Sequence, residues 1–562
     1  MMSMQHLLHE SLWRDDPQYD VGTTPGVALR FARIRSICRN SDLTVEDIRN
    51  LTPKFWELHR DLISTRDMTA WIIVSVHFNL CIGTLSIFSQ NRPDLSRLID
   101  KLLRFEACGQ FMLAEVGHGL DARNMETTAT LQSDGSFDLH TPRGGAAKCM
   151  PPTSPQGGVP LVAVVFARLM VEGEDRGVKP FVVWLSDSRQ MYQGITSRPL
   201  PTRTGCRPLD HALTTFNHVR LRPEALLGSG SKPKMERLDF FQQTWRVSVG
   251  TIALTLAAVS GLKICSYIMA KYSQRRTVPG GELGSRTPIL NFSTQRKPIV
   301  RGWVFGIIFD GYGRWTVDNF VNPDLPFHIR HSFAATYKAG VYHASRAMTD
   351  IYERGGWQGL FGHNQMTEIA LISAGGATAE GDVLVTCIRL ASELLGRRYS
   401  LPEPLDPSAL LAKREHCLWS EARDKVEAIG GYKNHRSAEF DRHILPLCKP
   451  LIEATSQRLA YDTAITGGVT RGIVDMFERI CVEEHADWYA LQGLIVPKSF
   501  AHDTAEAFEA ITPVMLQHME QGEEKDYVSA PIVSDEAWER FVQELPAYTH
   551  ERASVGGYQP KL

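Results

Sequence analysis

Apolar residues recur at three- and four-residue spacing from about residue 26 to 107, as in LTVEDIRNLTPKFWELHRDLI and LSRLIDKLLRF. This period predicts amphipathic helices. Ser41-Asp42 and Asn91-Arg92-Pro93 punctuate the stretch as turns or caps. Around Cys108 the period changes. Residues 109–228 carry short alternating or β-branched runs: ETTATLQ, FDLHT, LVAVVFARLMV, KPFVVWLS and ALTTFNHVRL. Between the first two lies Ser133-Asp134-Gly135-Ser136, a hairpin signal in which glycine supplies positive φ. Helical periodicity returns near Met235. It continues past the proline-rich junction Leu401–Pro407 into a second helical region over about 408–545. The pattern predicts an α+β chain in four segments: helical 1–107, β 108–230, helical 231–400 and helical 401–562.

Composition narrows the function classes. At 562 residues there is room for three or four structural units. A net charge of −2 with no long Lys/Arg run gives no reason to expect nucleic acid as a partner. Ten cysteines are scattered singly with no Cys-x-x-Cys, which predicts reduced thiols in an intracellular compartment, not a disulfide framework or a zinc site. His328, His331 and Glu483-Glu484-His485 do not form a metal-ligand pattern, so no metal is expected. Two apolar stretches, Trp71–Phe88 and Val247–Leu262, are shorter or more polar than the roughly 20 residues a bilayer demands. They are expected to be core helices, with no membrane span. The N-terminal residues lack the apolar run of a signal peptide.

Candidate chemistry concentrates between Leu102 and Leu131, where a short apolar strand runs into Gly117-His118-Gly119 and then Glu126-Thr127-Thr128-Ala129-Thr130. Glycines allow close backbone approach, and bare N–H groups suit a phosphate or a flavin edge. The whole string resembles the segment that acyl-CoA oxidases, within the acyl-CoA dehydrogenase superfamily, place against FAD. The resemblance extends over about residues 75–397. It includes His77-Phe78-Asn79-Leu80, Gly83-Thr84-Leu85, the stretch Phe216–Gly228, Tyr272-Ser273-Gln274-Arg275-Arg276 and Ile289–Gln295. Gly355-Gly356-Trp357-Gln358-Gly359 is followed, at the family's distance, by Thr378-Ala379-Glu380-Gly381 and an apolar helix.

That resemblance implies an acyl-CoA dehydrogenase/oxidase-like fold: an N-terminal helical domain, a β-barrel-like middle domain, a helical bundle and an additional C-terminal helical domain. It implies FAD held by Glu115, Gly117, Gly119, Arg276, Gln295, Gly355 and Gly356, partly across a homodimer interface. It makes Glu380 the general base, which needs an apolar, water-poor setting that raises its pKa. The competing reading of Glu380 is a first-turn acid favoured by the helix dipole. The implied reaction introduces an α,β double bond into an acyl-CoA or other acyl thioester, with O₂ as electron acceptor. Pro560-Lys561-Leu562 approximates a peroxisomal address, leaving peroxisome or cytoplasm as the compartment. Departures cluster at the flavin and substrate face: Ala114 replaces a threonine, Lys148-Cys149-Met150-Pro151-Pro152 replaces Lys-Trp-Trp-Pro-Gly, Ala379 replaces an aromatic and Trp357-Gln358 replaces His-Gly. These changes imply a specialised biosynthetic substrate or, alternatively, a non-redox enzyme or structural partner that has lost productive flavin binding.

Overall fold

The computed structural model describes residues 3–14, 24–281 and 284–548. The Pro560-Lys561-Leu562 address lies outside the described residues. Helices occupy the chain up to Leu103, among them α1 (Thr24–Asn40), α2 (Met68–Phe88) and α3 (Pro93–Leu103). Pro93 opens α3 at a position where its missing N–H costs nothing. The middle of α2 is wound with π geometry over Ser75–Ile82, and that segment carries His77 and Asn79. His77 is buried between two backbone groups: Nδ1 accepts the Gly109 N–H at 2.9 Å, and Nε2 donates to the Leu102 carbonyl at 3.0 Å. The imidazole thereby ties α2 to the first strand.

Strands follow: β1 (Cys108–Met112), β2 (Thr128–Leu131), β3 (Phe137–His140), β4 (Lys148–Pro152), β5 (Leu161–Val171), β6 (Glu174–Ser186), β7 (Ile195–Pro199), β8 (His211–Phe216) and β9 (Val219–Leu221). They form a six-stranded sheet in the order β1-β5-β2-β3-β9, with β6 on the other edge of β5, and a three-stranded sheet β4-β8-β7. β5 is flanked on both edges and buried along most of its length, so it reads as the continuous apolar run LVAVVFARLMV with no alternation. Gly135 takes φ +83° in the β2–β3 hairpin. The sheets meet where Thr141 N–H bonds the Phe216 carbonyl and where Glu115 bridges to Lys148.

The helical part returns as α4 (Trp245–Arg275), followed by the hairpin β10 (Thr277–Pro279) and β11 (Arg286–Pro288). Next come α5 (Ser293–Val321), α6 (Phe327–Ala344), α7 (Met366–Thr378) and α8 (Val383–Leu395). Beyond the proline-rich junction lie α9 (Leu410–Ala428), α10 (Leu445–Thr466), α11 (Arg471–Glu483) and α12 (Pro497–Gln521). α4 is the axis, packed by α5, α6 and α7 and by α2.

The two apolar stretches expected to be core belong to helices longer than the sequence suggested. At 21 and 31 residues, α2 and α4 are long and apolar enough to cross a membrane, but 78% and 89% of their most apolar windows are buried inside the protein. Polar residues within these runs, such as His77 and Ser260, are accommodated because they find partners in the interior.

Candidate active site

Glu380 sits in a tight turn between α7 and α8, with φ +53°, followed by Gly381 at φ +89°. A left-handed backbone at a glutamate is uncommon and costs energy unless its surroundings hold it. Three consecutive carbonyls of the turn are held. Lys338 Nζ, from α6, donates to Ala379 O at 2.5 Å and to Gly381 O at 2.6 Å. Thr251 Oγ1, from α4, donates to Glu380 O at 2.9 Å. Asp382 caps α8, accepting from the N–H groups of Leu384 and Val385. Glu380 therefore lies ahead of the helix and is not its first-turn acid. Asp382 has taken that role.

The turn aims the Glu380 side chain at α4. A Cβ built on Gly250 would lie 2.6 Å from Glu380 Cδ and 2.9 Å from Asn79 Nδ2. The carboxyl thus rests on a helix backbone left bare by glycine, with Asn79 of the π segment beside it. Asn79 Nδ2 donates to Arg246 O at 3.0 Å, while its buried Oδ1 has no hydrogen-bond partner among the described residues. No described residue donates a hydrogen bond to the Glu380 carboxyl. Loss of water around it pushes its pKa up to about 8, and the Lys338 charge acts against that rise. Desolvation also draws Lys338 down to about 8.

The glycine string presents a different arrangement. Glu115 is buried and its carboxylate is fully engaged: it accepts from Glu126 N–H at 2.8 Å, Thr127 N–H at 2.9 Å and Lys148 Nζ at 3.1 Å. Burial alone would raise its pKa, but the Lys148 ammonium and the amide donors hold it below the ordinary value. Its carboxylate therefore staples the loop to β4. The N–H of Gly117 is not bare either, because it donates to Gly145 O at 2.8 Å. Neither Gly117 nor Gly119 has positive φ, and only at Gly119 is the space around an added Cβ empty. The altered positions do come together: Cys149 N–H donates to Ala114 O at 3.1 Å. Around them Val116, Leu120 and Met150 are 55%, 72% and 42% exposed, an apolar surface with few free polar groups.

A third group collects at the far end of α4. Arg276 is exposed where α4 stops and the β10–β11 hairpin begins. Gln295 Nε2 donates to Ser273 Oγ at 2.9 Å and to Arg354 O at 3.2 Å, so it joins α4, α5 and the Gly355-Gly356 turn. Gly356 has φ +57° with open space around it. Arg276 lies twenty-six residues beyond Gly250, about 39 Å at 1.5 Å rise per residue. Within one chain, then, Glu380 and the Arg276–Gln295–Gly355 group occupy opposite ends of one helix.

The sequence reading missed Lys338, Thr251 and Gly250. A signal for Lys338 was present, since it is a lone cation within the apolar run FAATYKAGVY. Thr251 and Gly250 carry no local mark.

No family model matches this chain. In sequence it is 26% identical over 304 residues to peroxisomal acyl-coenzyme A oxidase 3 of Homo sapiens, covering 52% of this chain and 43% of that one. It is 25% identical over 357 residues to putative peroxisomal acyl-coenzyme A oxidase 1.2 of Arabidopsis thaliana, covering 59% and 52%. The chain thus spans about half the length of the curated relatives it matches. Among solved structures, acyl-CoA oxidase 1 of Yarrowia lipolytica superposes with a TM-score of 0.81 at 16% identity, over 97% of this chain and 90% of that one. Acyl-CoA oxidase-1 of Caenorhabditis elegans, complexed with FAD and ATP, gives 0.77 at 16% identity, over 96% and 88%. The chain is thus similar in sequence to acyl-CoA oxidases and is built on their fold.

Proposed function

We propose that the protein is an FAD-dependent oxidoreductase of acyl-CoA oxidase type, forming an α,β double bond in an acyl-CoA or other acyl thioester. The observation that carries this reading is Glu380: a carboxyl set in a held left-handed turn against bare backbone, with its pKa raised to about 8. A base of that pKa is matched to removing a weakly acidic α-proton near neutral pH. Glu380 acts as the carboxylate, accepts the α-proton and becomes the neutral acid, the form its dry setting favours.

The surface fits FAD in kind. Val116, Leu120 and Met150 offer apolar contact to a flat ring beside Ala114 and Cys149, and Arg276 offers a guanidinium suited to a pyrophosphate. Bound there, FAD would supply a two-electron acceptor for the β-hydrogen, with O₂ as the final acceptor. The distance along α4 supports a homodimer, in which Arg276, Gln295, Gly355 and Gly356 of one copy complete the site around Glu380 of the other. Gly119, with open space around it, remains a point of close backbone approach, and Gly117 contributes through loop shape. The apolar, hydroxyl-poor face at Ala114, Cys149 and Met150 favours a specialised biosynthetic substrate over ordinary fatty acyl chains. The peroxisomal names of the relatives support a peroxisomal compartment. The second reading, a member without redox activity, rests on the committed Gly117 N–H and on Pro152, which has no N–H to give.

The absorbance spectrum of the purified protein separates the two. A flavin spectrum bleached anaerobically by acyl-CoA is expected, with the bleaching rate rising as pH increases through about 8. Glu380→Gln should slow bleaching by about 10²–10⁴-fold. Colourless protein that FAD does not reconstitute, or a variant that bleaches at the parental rate, rules against it.

A further inference from the structure

We infer that Lys338 is the positioning residue for the Glu380 base: its ammonium locks the left-handed turn from both sides and stands as the cation bonded to it. This inference rests on the reading of Glu380 as the base. Lys338 is buried on α6, forty-two residues before Glu380, yet two of its hydrogen bonds straddle that residue, on Ala379 O and Gly381 O. A buried ammonium is expensive unless its donors are satisfied. Here the acceptors are the two carbonyls that flank a strained residue, so the energy of satisfying Lys338 goes into holding φ +53°. Thr251 closes the remaining carbonyl. With all three fixed, the Glu380 side chain leaves the turn in one direction, onto Gly250 and Asn79.

The charge is unusually placed as well. Titratable groups facing the turn are Lys338 and Tyr342 from α6, with Asp382 and Cys387 from the segment that starts α8. α4 and α2 contribute Gly250, Thr251 and Asn79, and one turn earlier on α4 the buried Arg246 guanidinium donates to the Asn79 backbone carbonyl. Lys338 also lies 5.8 Å from the Tyr342 ring centroid, and the Tyr342 hydroxyl abuts Gly376 on α7, one turn before the Glu380 corner. Lys338 is the cation bonded to the turn itself, and its charge opposes the desolvation that raises the carboxyl. Its removal has two separable consequences: the turn relaxes, and the carboxyl holds its proton to higher pH.

The test reads the carboxyl directly in the full chain. The Glu380 carboxylic-acid band is followed by infrared difference spectroscopy against Glu380→Gln across pH 5–10, with flavin bleaching by acyl-CoA measured in parallel. The unaltered protein should titrate near 8. In Lys338→Met the midpoint should rise by about one unit or more, and bleaching should slow by roughly 10–100-fold, the scale of a 1 Å misplacement. Lys338→Arg, which keeps charge and donors, should recover most of both. If Lys338→Met does not fold, Lys338→Gln is measured the same way. An unchanged midpoint and rate in the folded variant overturns the inference. Undiminished bleaching in Glu380→Gln instead overturns the base assignment, and the infrared midpoint still reports whether Lys338 sets the turn.

Discussion

Two loops of this protein hold a glutamate, and they hold it in opposite ways. In the Ala114–Thr127 loop, the Glu115 carboxylate is the fastener: it binds the amides of Glu126 and Thr127 and the Lys148 ammonium, and its own side chain is spent. In the Ala379–Gly381 turn the backbone is fastened by others, Lys338 and Thr251, and the Glu380 carboxyl is left without a donor. A satisfied buried carboxylate stabilises and does no chemistry. An unsatisfied one in a dry pocket costs stability and gains a pKa useful for proton transfer. The glutamate nearest the glycine-rich string is therefore structural, and the glutamate in the unremarkable sequence Thr-Ala-Glu-Gly carries the candidate chemistry.

The largest expected effect breaks the structural side. Glu115→Ala leaves Lys148 buried without its counter-charge and should destabilise the protein by about 3–5 kcal/mol, read from chemical denaturation. Replacing Glu115 and Lys148 together with methionine should recover part of that loss, because the pair's desolvation cost disappears while the Glu126 and Thr127 amides still lose their acceptor. If Glu115→Ala is as stable as the parent, the staple is not what holds this loop.

A smaller effect sharpens the catalytic side. Gly250→Ala puts a methyl group 2.6 Å from Glu380 Cδ, at the movable end of a side chain and within a helix that prefers alanine. Stability should change by less than about 1 kcal/mol. Flavin reduction should slow by roughly 10–100-fold, because the carboxyl must shift by about 1 Å. Equal rates for variant and parent would mean that the carboxyl does not work from this position. The smallest effect concerns Gly119. With ordinary φ and open space, Gly119→Ala should alter folding stability by no more than about 0.5 kcal/mol. A weakened FAD affinity measured by fluorescence titration would then mark it as a point of close approach, and unchanged affinity would remove it from the cofactor site.

How far the sequence could be read depends on where each residue finds its partners. The β2–β3 hairpin was legible because Asp134, Gly135 and Ser136 make it from their own side chains and dihedrals. α8 was legible from its apolar run, while its cap, Asp382, came from the structure. The engagement of the Glu115 carboxylate was not legible, because its counter-charge Lys148 lies thirty-three residues later in the chain. Lys338 and Thr251 were missed because their bonds to the 379–381 turn cross 41 to 129 residues.

By itself the sequence determined the succession of helical and β segments, the family resemblance and the position of Glu380, since periodicity and motif spacing are properties of neighbouring residues. Only the tertiary structure decided which acid is spent and which is poised. It also placed Arg276 about 39 Å along α4 from Gly250, on which Glu380 rests, and it left the glycine-string amides largely closed. Those outcomes depend on desolvation and on donors brought from other elements, quantities that come into being only when the helices and sheets pack.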